Sequence, residues 1–498
     1  MKMADSDADV IVIGAGVAGL CAALSANELG KKVIVLESAP VDQRGGNTAF
    51  AAGAFRFSYS GVDDVLKLIP DLSSEEIKNT EFGTYTDEYI DDINRVTEGR
   101  ADPALADILV GQSLETAAWL RENGVRFIPN YGSQGYKDGA KTKFRDESVV
   151  KISGGGMGMV DALFAALKRQ GIAVNYQTQG VRLIRGAGGI EGVQVHSPDG
   201  ERELTAPAMV IAAGGFESNP EMRARYLGPG WDLAKVRGTR FNVGDGLRMA
   251  LEIGASSTGN WSGCHSVAWD LSAPEYGDIN VGVNFKKDSY PYGIVINADG
   301  HRFLDEGADI RTFTYAKYGA VILRQPKQFA WQVFDGKVLD LLRDEYHIRQ
   351  VTRVHADTIE ALACELHGVD PQSFLATVKN FNAAVCRDVP FDPNVKDGRD
   401  TDGLAVPKSN WANTIDTPPF EAYAVTCGVT FTFGGLRITP DAEVVDSGGR
   451  PIPGLFACGS SVGGLFYFNY PGGSGLTAGA VFGRIAGARA ATRSPSDT

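Results

Sequence analysis

The chain has 498 residues, 43% of them hydrophobic, and a formal net charge of −13. Its length exceeds what a single hydrophobic core usually covers, so we expect two domains. The acidic balance argues against a nucleic-acid partner but leaves small anionic substrates open, because these need only a local basic pocket. No stretch approaches the roughly 20 apolar residues of a membrane span, and the acidic segment 1–7 is unlike the basic start of a secretory signal. We therefore expect a cytoplasmic protein without a membrane span.

The first predicted element is a buried strand of β-branched residues that leads into three spaced glycines. Gly14, Gly16 and Gly19 have the spacing that makes a tight turn, lets the backbone approach a pyrophosphate and lets a helix pack closely. A helix is predicted from Leu20 to Leu29, and a second apolar run ends in Glu37, an acid placed to hold a ribose hydroxyl. The pattern predicts a Rossmann-like α/β domain that binds a dinucleotide; a glycine-rich structural turn is the alternative.

The next segment, residues 44–53, is too glycine-rich for a core strand. A nicotinamide dehydrogenase would continue here with alternating strands and helices, so this segment favours FAD over NAD as the cofactor. Small residues let the backbone lie against a flat ring system, while asparagine and threonine supply hydrogen bonds. This segment resembles the flavin-contacting segment of the fumarate reductase and succinate dehydrogenase flavoprotein superfamily. Three later segments agree with that resemblance: a glycine run at 153–156 before a helix that starts near Met159, a strand at 209–216 ending in a glycine pair, and a helix opened by Gly244–Gly246.

The segment 454–487 resembles the closing flavin element of the same superfamily. A helix that starts just after Gly475 would direct free N–H groups and the positive end of its dipole toward the flavin. Within the superfamily, the runs 465–475 and 307–319 are most similar to the tricarballylate dehydrogenase branch. The predicted FAD-binding residues are Gly14, Gly16, Ala18, Gly19, Glu37, Ser38, Arg44, Gly45, Gly46, Asn47, Thr48, Gly53, Gly155, Gly156, Ala213, Gly214, Gly215, Asp245, Gly459, Gly475 and Leu476.

The positions of these segments predict a discontinuous FAD domain of the glutathione-reductase-like (GR2) type, over 1–262 and 426–498. Residues 263–425 lack nucleotide motifs, and the resemblance implies that they form an inserted α+β capping domain that closes over the substrate. No histidine lies between Gly45 and Gly53, where a covalent link would be expected in the family, so we expect non-covalent FAD. The six cysteines show no paired spacing, so no metal site is predicted and an organic cofactor must carry the electrons.

Arg311 is the first catalytic candidate. It matches the proton-shuttle arginine of the fumarate reductases and follows a similar lead-in, residues 300–306. Because the pKa of arginine exceeds about 12, it needs a carboxylate relay, for which Glu306 and Asp309 are candidates. A substrate clamp or an interdomain ion pair is the alternative interpretation of Arg311.

His265 matches a family histidine that binds a substrate carboxylate, although a lone histidine is more often structural. The remaining histidines are interpreted as surface residues: His196, His301, His347, His355 and His367. The sequence leaves the roles of several further tyrosines and cations open: Tyr290, Tyr292, Tyr315, Tyr318, Tyr467, Arg56, Arg240, Lys141 and Lys143.

Two departures from the fumarate reductase pattern bear on the substrate. Phe431 stands where those enzymes carry a carboxylate-binding histidine, and Tyr470 stands where they carry an arginine. A phenol can hydrogen-bond a carbonyl but cannot supply the bidentate charge of an arginine. The Tyr-Pro-Gly at 470–472 also resembles the 3-ketosteroid Δ1-dehydrogenases, in which that tyrosine polarises a ketone. Tyr470 is therefore a candidate electrophile, with a packed aromatic residue as the alternative.

The resemblance implies an FAD-dependent dehydrogenase acting on CH–CH groups, which moves a hydride from the β-carbon of its substrate to flavin N5. The expected substrate carries a carboxylate or ketone next to that bond, with tricarballylate-like polycarboxylates first. Electrons would leave to a separate acceptor, either a quinone, oxygen or a redox protein. The alternatives are a ketone or ketosteroid-type Δ1-dehydrogenase, an ene-reductase like fumarate or urocanate reductase, and, from another class, a flavin oxidase or monooxygenase.

Overall fold

The computed structural model describes residues 6–493 and divides into two compact units. Unit 1 holds the described residues up to Pro229, together with Gly238–Cys264 and the chain from Phe431 onward; unit 2 holds Gly230–Arg237 and His265–Thr430. Unit 2 thus includes a short segment, 230–237, that the sequence analysis assigned to the FAD domain. Most of the acidic N-terminal segment on which the cytoplasmic expectation partly rests, residues 1–5, lies outside the described residues.

Unit 1 is built on a six-stranded sheet whose core strands are parallel, which confirms the predicted α/β class. The strand order is β19 (Glu443–Val445), β20 (Pro451–Ala457), β12 (Ala208–Ile211), β1 (Val10–Ile13), β2 (Val33–Leu36) and β8 (Ala173–Asn175), with β19 antiparallel to β20. All residues of β1 and β12 are buried, as expected for strands covered on both faces. Because β1, β2, β12 and β20 are parallel, the segments that follow them lie at one edge of the sheet.

Unit 1 contains eleven α-helices among the described residues, and the first and last of them pack against the parallel strands. Their bounds are α1 (Val17–Glu28), α2 (Val62–Leu68), α3 (Ser74–Asn79), α4 (Asp87–Val96), α5 (Pro103–Gly111), α6 (Ser113–Glu122), α7 (Tyr131–Gln134), α8 (Gly155–Arg169), α9 (Pro220–Met222), α10 (Asp245–Glu252) and α14 (Ser474–Thr492). Helix α14 packs closely on α1 through small residues. A Cβ atom on Gly483 would lie 2.3 Å from the carbonyl oxygen of Ala18, so only glycine allows this approach.

Three smaller sheets complete unit 1. One contains β9 (Gln179–Gly186), β10 (Gly189–Ser197) and β11 (Gly200–Thr205), and another contains β3 (Ala54–Phe55), β4 (Phe127–Pro129) and β7 (Val150–Ile152). The third is a hairpin of β5 (Gly135–Asp138) and β6 (Lys141–Phe144). In chain order, β3–β7 lie between β2 and β8 of the six-stranded sheet, and β9–β11 lie between β8 and β12.

Unit 2 has an α+β architecture. Its sheet runs β13 (Lys235–Val236), β18 (Phe420–Leu436), β16 (Ala330–Phe334) and β15 (Ile294–Asn297), and both β14 (Ser257–Asp270) and β17 (Arg353–Ala356) also pair with β18. The helices are α11 (Tyr315–Leu323), α12 (Ile359–Glu365) and α13 (Pro371–Ala384). Phe374 and Phe381 from α13 pack with Trp331 from β16 in a buried core. Strands β14 and β18 each begin in one unit and end in the other.

Local differences from the predicted elements have local causes. Helix α8 begins at Gly155, four residues before the predicted start near Met159, because Gly154 takes a left-handed conformation that caps the helix. The predicted strand at 209–216 ends at Ile211, before its glycine pair. Among the described residues, no helix is both long enough and apolar enough to span a bilayer.

Candidate active site and cofactor site

The glycine fingerprint forms a turn between β1 and α1 that other residues could not make. Gly14 has φ +105°, and a Cβ atom there would lie 2.3 Å from the carbonyl oxygen of Ala212. A Cβ atom on Gly19 would lie 1.9 Å from the Gly14 carbonyl oxygen. At Gly16, by contrast, a Cβ atom would meet Thr48 Oγ1 at 3.5 Å as its nearest described neighbour. A Cβ atom on Gly16 would thus make only ordinary contacts with the protein, so a glycine at this position fits the close approach of a dinucleotide diphosphate to the backbone.

Glu37 directly follows β2 and is buried. One carboxyl oxygen, Oε1, accepts a hydrogen bond from the Ala39 N–H at 2.8 Å. Burial raises the pKa of this carboxyl, and several backbone N–H groups oppose that shift. A buried acid at the end of the second strand is placed where a dinucleotide fold holds the ribose.

The segment predicted to contact the flavin packs backbone to backbone against the start of α8. Gly45 is left-handed and begins a 3-10 turn over Gly46–Phe50. A Cβ atom on Gly156 would lie 1.8 Å from the Thr48 carbonyl oxygen, and one on Gly53 would lie 2.7 Å from Gly155 Cα. The side chain of Thr48 turns toward the fingerprint, where its Oγ1 accepts the Val17 N–H at 2.9 Å. The fingerprint and the flavin segment are thus joined directly.

The remaining predicted cofactor residues lie mostly after the parallel strands. Ala213–Gly215 follow β12, Gly459 follows β20, and Asp245 opens α10 and accepts a bond from Gln179 Nε2 at 2.5 Å. Arg44 is partly exposed and pairs with Asp161 at 3.2 Å. The edge formed by the carboxyl ends of parallel strands is where open α/β sheets bind their ligands. The glycine cradle and this clustering fit FAD.

Helix α14 begins at the predicted closing element. Gly473 is left-handed and precedes Ser474, whose hydroxyl accepts a hydrogen bond from Tyr89 at 2.9 Å. The buried guanidinium of Arg56 donates from Nε to the Gly472 carbonyl at 2.8 Å, and Thr477 Oγ1 donates to the Arg56 carbonyl at 2.6 Å. The sequence left the role of Arg56 open; the structure shows that it fixes the turn before α14.

Aromatic rings gather against the first turn of α14. Tyr470 packs against Phe431 with ring centroids 5.3 Å apart and against Phe466 at 5.5 Å. Phe433 lies 5.6 Å from Phe431. A Cβ atom on Gly475 would lie 3.6 Å from Phe431 and 3.7 Å from Tyr470. The two positions that depart from the fumarate reductase pattern therefore form one aromatic cluster. This arrangement is compatible with Tyr470 as an electrophile and with Tyr470 as a packed aromatic residue.

Within unit 2, the structure brings His265 and Arg311 to the same tyrosine. The His265 ring meets Tyr315 edge to face with centroids 5.2 Å apart, and the Arg311 guanidinium lies 5.6 Å from the Tyr315 centroid. Burial, aided by the positive charge of Arg237, holds the pKa of His265 well below its usual value. The imidazole is therefore neutral and can exchange hydrogen bonds but carries no charge. The five other histidines are all exposed, as expected.

The structure places Asp288, which the sequence analysis did not single out, beside Arg311. Asp288 Oδ2 lies 3.4 Å from Arg311 Nη1 and 3.0 Å from Lys286 Nζ, while Oδ1 is buried without a partner among the described residues. Lys286 also pairs with Glu345 at 3.0 Å. Of the two relay candidates, Glu306 is already held by Arg302 at 2.5 Å. Asp309 pairs with Lys396 at 3.3 Å.

Arg237 is a second cation that sequence reasoning missed. It is 6% exposed, and its Nη1 donates to Thr430 Oγ1 at 3.3 Å. Its Nε is buried without a partner among the described residues, and no carboxylate of residues 6–493 forms an ion pair with it. A buried guanidinium that lacks a counter-ion favours an anionic ligand. No local motif marks Arg237, because its neighbours Thr430 and His265 lie far along the chain.

Comparison with known proteins agrees with this geometry. The family described as "FAD binding domain" matches residues 9–476. A "Probable fumarate reductase" of Shewanella frigidimarina is 30% identical over 97% of this chain and 74% of its own length. A 4-oxocyclohexanecarboxylate 2-dehydrogenase of Sinomonas cyclohexanicum is 27% identical over 97% of this chain and 93% of its own.

The fold also matches a solved structure along its whole length. The 3-ketosteroid Δ1-dehydrogenase of Sterolibacterium denitrificans superposes with a TM-score of 0.73 at 22% identity, covering 97% of this chain and 99% of that one. This likeness concerns the fold. Together with the family match, it confirms the superfamily and the cofactor predicted from the sequence. The chain belongs to the FAD-binding flavoprotein family that includes the fumarate reductases, and it is an FAD-dependent oxidoreductase of the CH–CH class.

Proposed function

We propose that the protein dehydrogenates a carbon–carbon bond next to a carboxylate, with tricarballylate-like polycarboxylates as the substrate class. The observation that carries the proposal is the group of Arg237, His265 and Arg311 in unit 2. Arg311 has a carboxylate neighbour in Asp288, but Arg237 has none among the described residues. A substrate carboxylate would supply the missing negative charge.

Each residue of this group has a distinct proposed role. Arg237 holds the carboxylate by charge, and neutral His265 adds a hydrogen bond. Bound FAD supplies the two-electron redox chemistry. Arg311 moves the proton from the carbon next to the carboxylate, and Asp288 serves as its relay, since an isolated guanidinium is a poor base.

A ketone substrate is the second candidate, and Tyr470 favours it. The phenol belongs to an aromatic cluster where the fumarate reductases carry charged residues. The Sinomonas relative is named for a substrate that contains both a ketone and a carboxylate. In such a keto acid, the ketone is the group that the phenol of Tyr470 would polarise. It is therefore the ketone to test beside tricarballylate.

An anaerobic titration of the purified holoenzyme tests both candidates through the visible flavin band. Bleaching by tricarballylate supports the carboxylate dehydrogenase. Bleaching by a cyclic keto acid alone favours the ketone dehydrogenase, in which Tyr470 polarises the ketone. A cyclic ketone without a carboxylate is the matched control for the role of Arg237. If none of the three bleaches the flavin, but chemically reduced enzyme is reoxidised by fumarate or urocanate, the proposal fails and the ene-reductase alternative is favoured.

The electron acceptor is proposed to be a separate molecule: a quinone, oxygen or a redox protein. After bleaching, the reduced holoenzyme is mixed with a soluble quinone or with oxygen, and the return of the band is timed. Fast recovery with the quinone and slow recovery with oxygen indicate a dehydrogenase. The reverse order favours a flavin oxidase.

A further inference from the structure

Glu217 is a buried carboxyl group between two segments of the predicted cofactor site. It follows the Gly214–Gly215 pair after β12 and is 0% exposed. Its Oε1 accepts hydrogen bonds from Asn47 Nδ2 and Asn242 Nδ2, both at 2.7 Å. Asn47 belongs to the flavin segment, so a single carboxyl oxygen joins two stretches that are 170 residues apart.

The second oxygen, Oε2, has no hydrogen-bond partner among the described residues, although it is buried. A Cβ atom on Gly215 would lie 2.7 Å from this oxygen and 2.2 Å from Thr432 Oγ1. A buried polar atom without a partner is costly, by about 1–3 kcal/mol, so its position calls for a ligand. The bound FAD is the ligand that the neighbouring glycines and Asn47 fit.

The surroundings of Glu217 favour its neutral, protonated form. Arg223 is the charged side chain that faces it, and its Nη1 donates to the backbone carbonyl of Glu217 at 2.5 Å. Both donors to Oε1 are uncharged amides. Burial raises the pKa of Glu217 to about 7, against the lowering effects of Asn242, of the Glu217 backbone N–H and of Arg223. With Oε1 accepting two bonds, the proton belongs on Oε2.

We propose that Glu217 is a further FAD-binding residue, which donates a hydrogen bond from Oε2 to an acceptor atom of the bound cofactor. Asn47 and Asn242 orient the carboxyl group for this contact. The proposal concerns cofactor binding and does not depend on which substrate the enzyme uses. Neither the fingerprint nor the flavin segment contains Glu217, so no motif assigns it.

The test measures the FAD dissociation constant of the apoprotein, followed by flavin fluorescence, between about pH 6 and about pH 8.5. In the unsubstituted protein, FAD binding is expected to weaken by about tenfold across this range, because the donor proton is lost near pH 7. Glu217→Gln keeps one acceptor and one donor in the same places. It should bind FAD as tightly as the low-pH protein, with no weakening at high pH.

Glu217→Ala removes the donor and should bind FAD about tenfold more weakly at low pH. Glu252→Gln, which changes a partly exposed acid on α10, is the matched control and should retain both the affinity and its pH profile. Melting of each apoprotein by circular dichroism separates a loss of fold from a loss of binding. If Glu217→Gln shows the same pH profile as the unsubstituted protein, or if FAD binding strengthens as the pH rises, the proposal is wrong.

Discussion

Arg311 has a carboxylate neighbour and Arg237 has none among the described residues, and this difference favours Arg237 as the binding site for a substrate anion. Arg311 has Asp288 at 3.4 Å, and Asp288 is shared with Lys286. Arg237 is more deeply buried than Arg311, yet its neighbours are a threonine hydroxyl and a neutral histidine. Burying an uncompensated charge costs several kcal/mol, and a carboxylate ligand would recover much of that cost. The substrate anion is therefore expected to bind at Arg237.

Arg237→Met is expected to raise KM for a carboxylate substrate by about tenfold or more, since it removes a charge-assisted hydrogen bond. The kcat should fall less than kcat/KM. The measurement is steady-state turnover with an artificial acceptor. Arg225→Met removes an exposed cation on the turn after α9 and is the control, with no expected change. An equal loss with a ketone that lacks a carboxylate would contradict the assigned role.

Asp288→Asn is expected to lower kcat by about 100-fold, because Arg311 loses the carboxylate that makes proton transfer feasible. FAD content and substrate KM should change little. Asp309→Asn is the matched comparison, since Asp309 was the sequence-based relay candidate and pairs with Lys396. Solvent-isotope effects on kcat for the two variants show which one alters the proton step. A larger change in the isotope effect from Asp309→Asn would show that Asp309, and not Asp288, is the relay for Arg311.

At the scale of elements, the contact between α1 and α14 rests on glycine. These helices come so close that a Cβ atom on Gly487 would lie 2.1 Å from the Ala22 carbonyl oxygen, as at Gly483 and Ala18. Ser25 Oγ adds a hydrogen bond to the Arg484 carbonyl at 2.9 Å. The same two helices begin at the fingerprint turn and at the closing element. Their spacing therefore sets the distance between two parts of the predicted FAD site.

Gly483→Ala is expected to lower the free energy of unfolding by about 2–3 kcal/mol, because the added methyl group meets backbone that cannot move aside. Gly111→Ala is the control, since Gly111 also lies in a helix but a Cβ atom there meets nothing within 4 Å. Without a clash, alanine should stabilise that helix by up to about 1 kcal/mol. Urea denaturation of both holoproteins measures the difference; equal stabilities would show that α1 and α14 can separate without cost.

At the scale of the whole molecule, the features that could be predicted are those made by residues adjacent in the sequence. Gly14–Gly19 and the strands around them could be interpreted locally, because the turn and the helix are made by adjacent residues. His265 and Arg311 were found through a family resemblance. Arg237 and Glu217 were missed because their partners are distant in sequence: Asn47, for example, lies 170 residues from Glu217. Asp288 was missed because its contact with Arg311, 23 residues further along the chain, is made only by the fold. No spacing rule links such pairs before the fold is known.

The cofactor is expected to leave the whole protein when it unfolds. Gly45–Gly53 contains no histidine for a covalent flavin link, so acid precipitation should leave the yellow colour in the supernatant. The absorbance of both fractions measures this outcome. A variant of the same protein with weaker FAD binding, such as Glu217→Ala, should give the same partition. Colour that stays in the pellet would show a covalent bond.

The pairing of α1 with α14 has a consequence for how the enzyme is made. Ser25 and Arg484 are 459 residues apart, so the ribosome completes the fingerprint long before it supplies the helix that closes the site. Contacts this distant in sequence form late and slowly. We therefore expect the nascent chain to lack a complete FAD site until α14 is made, and a chain truncated before α14 should retain less flavin. Flavin uptake is then expected at the final step of maturation rather than at the start of folding.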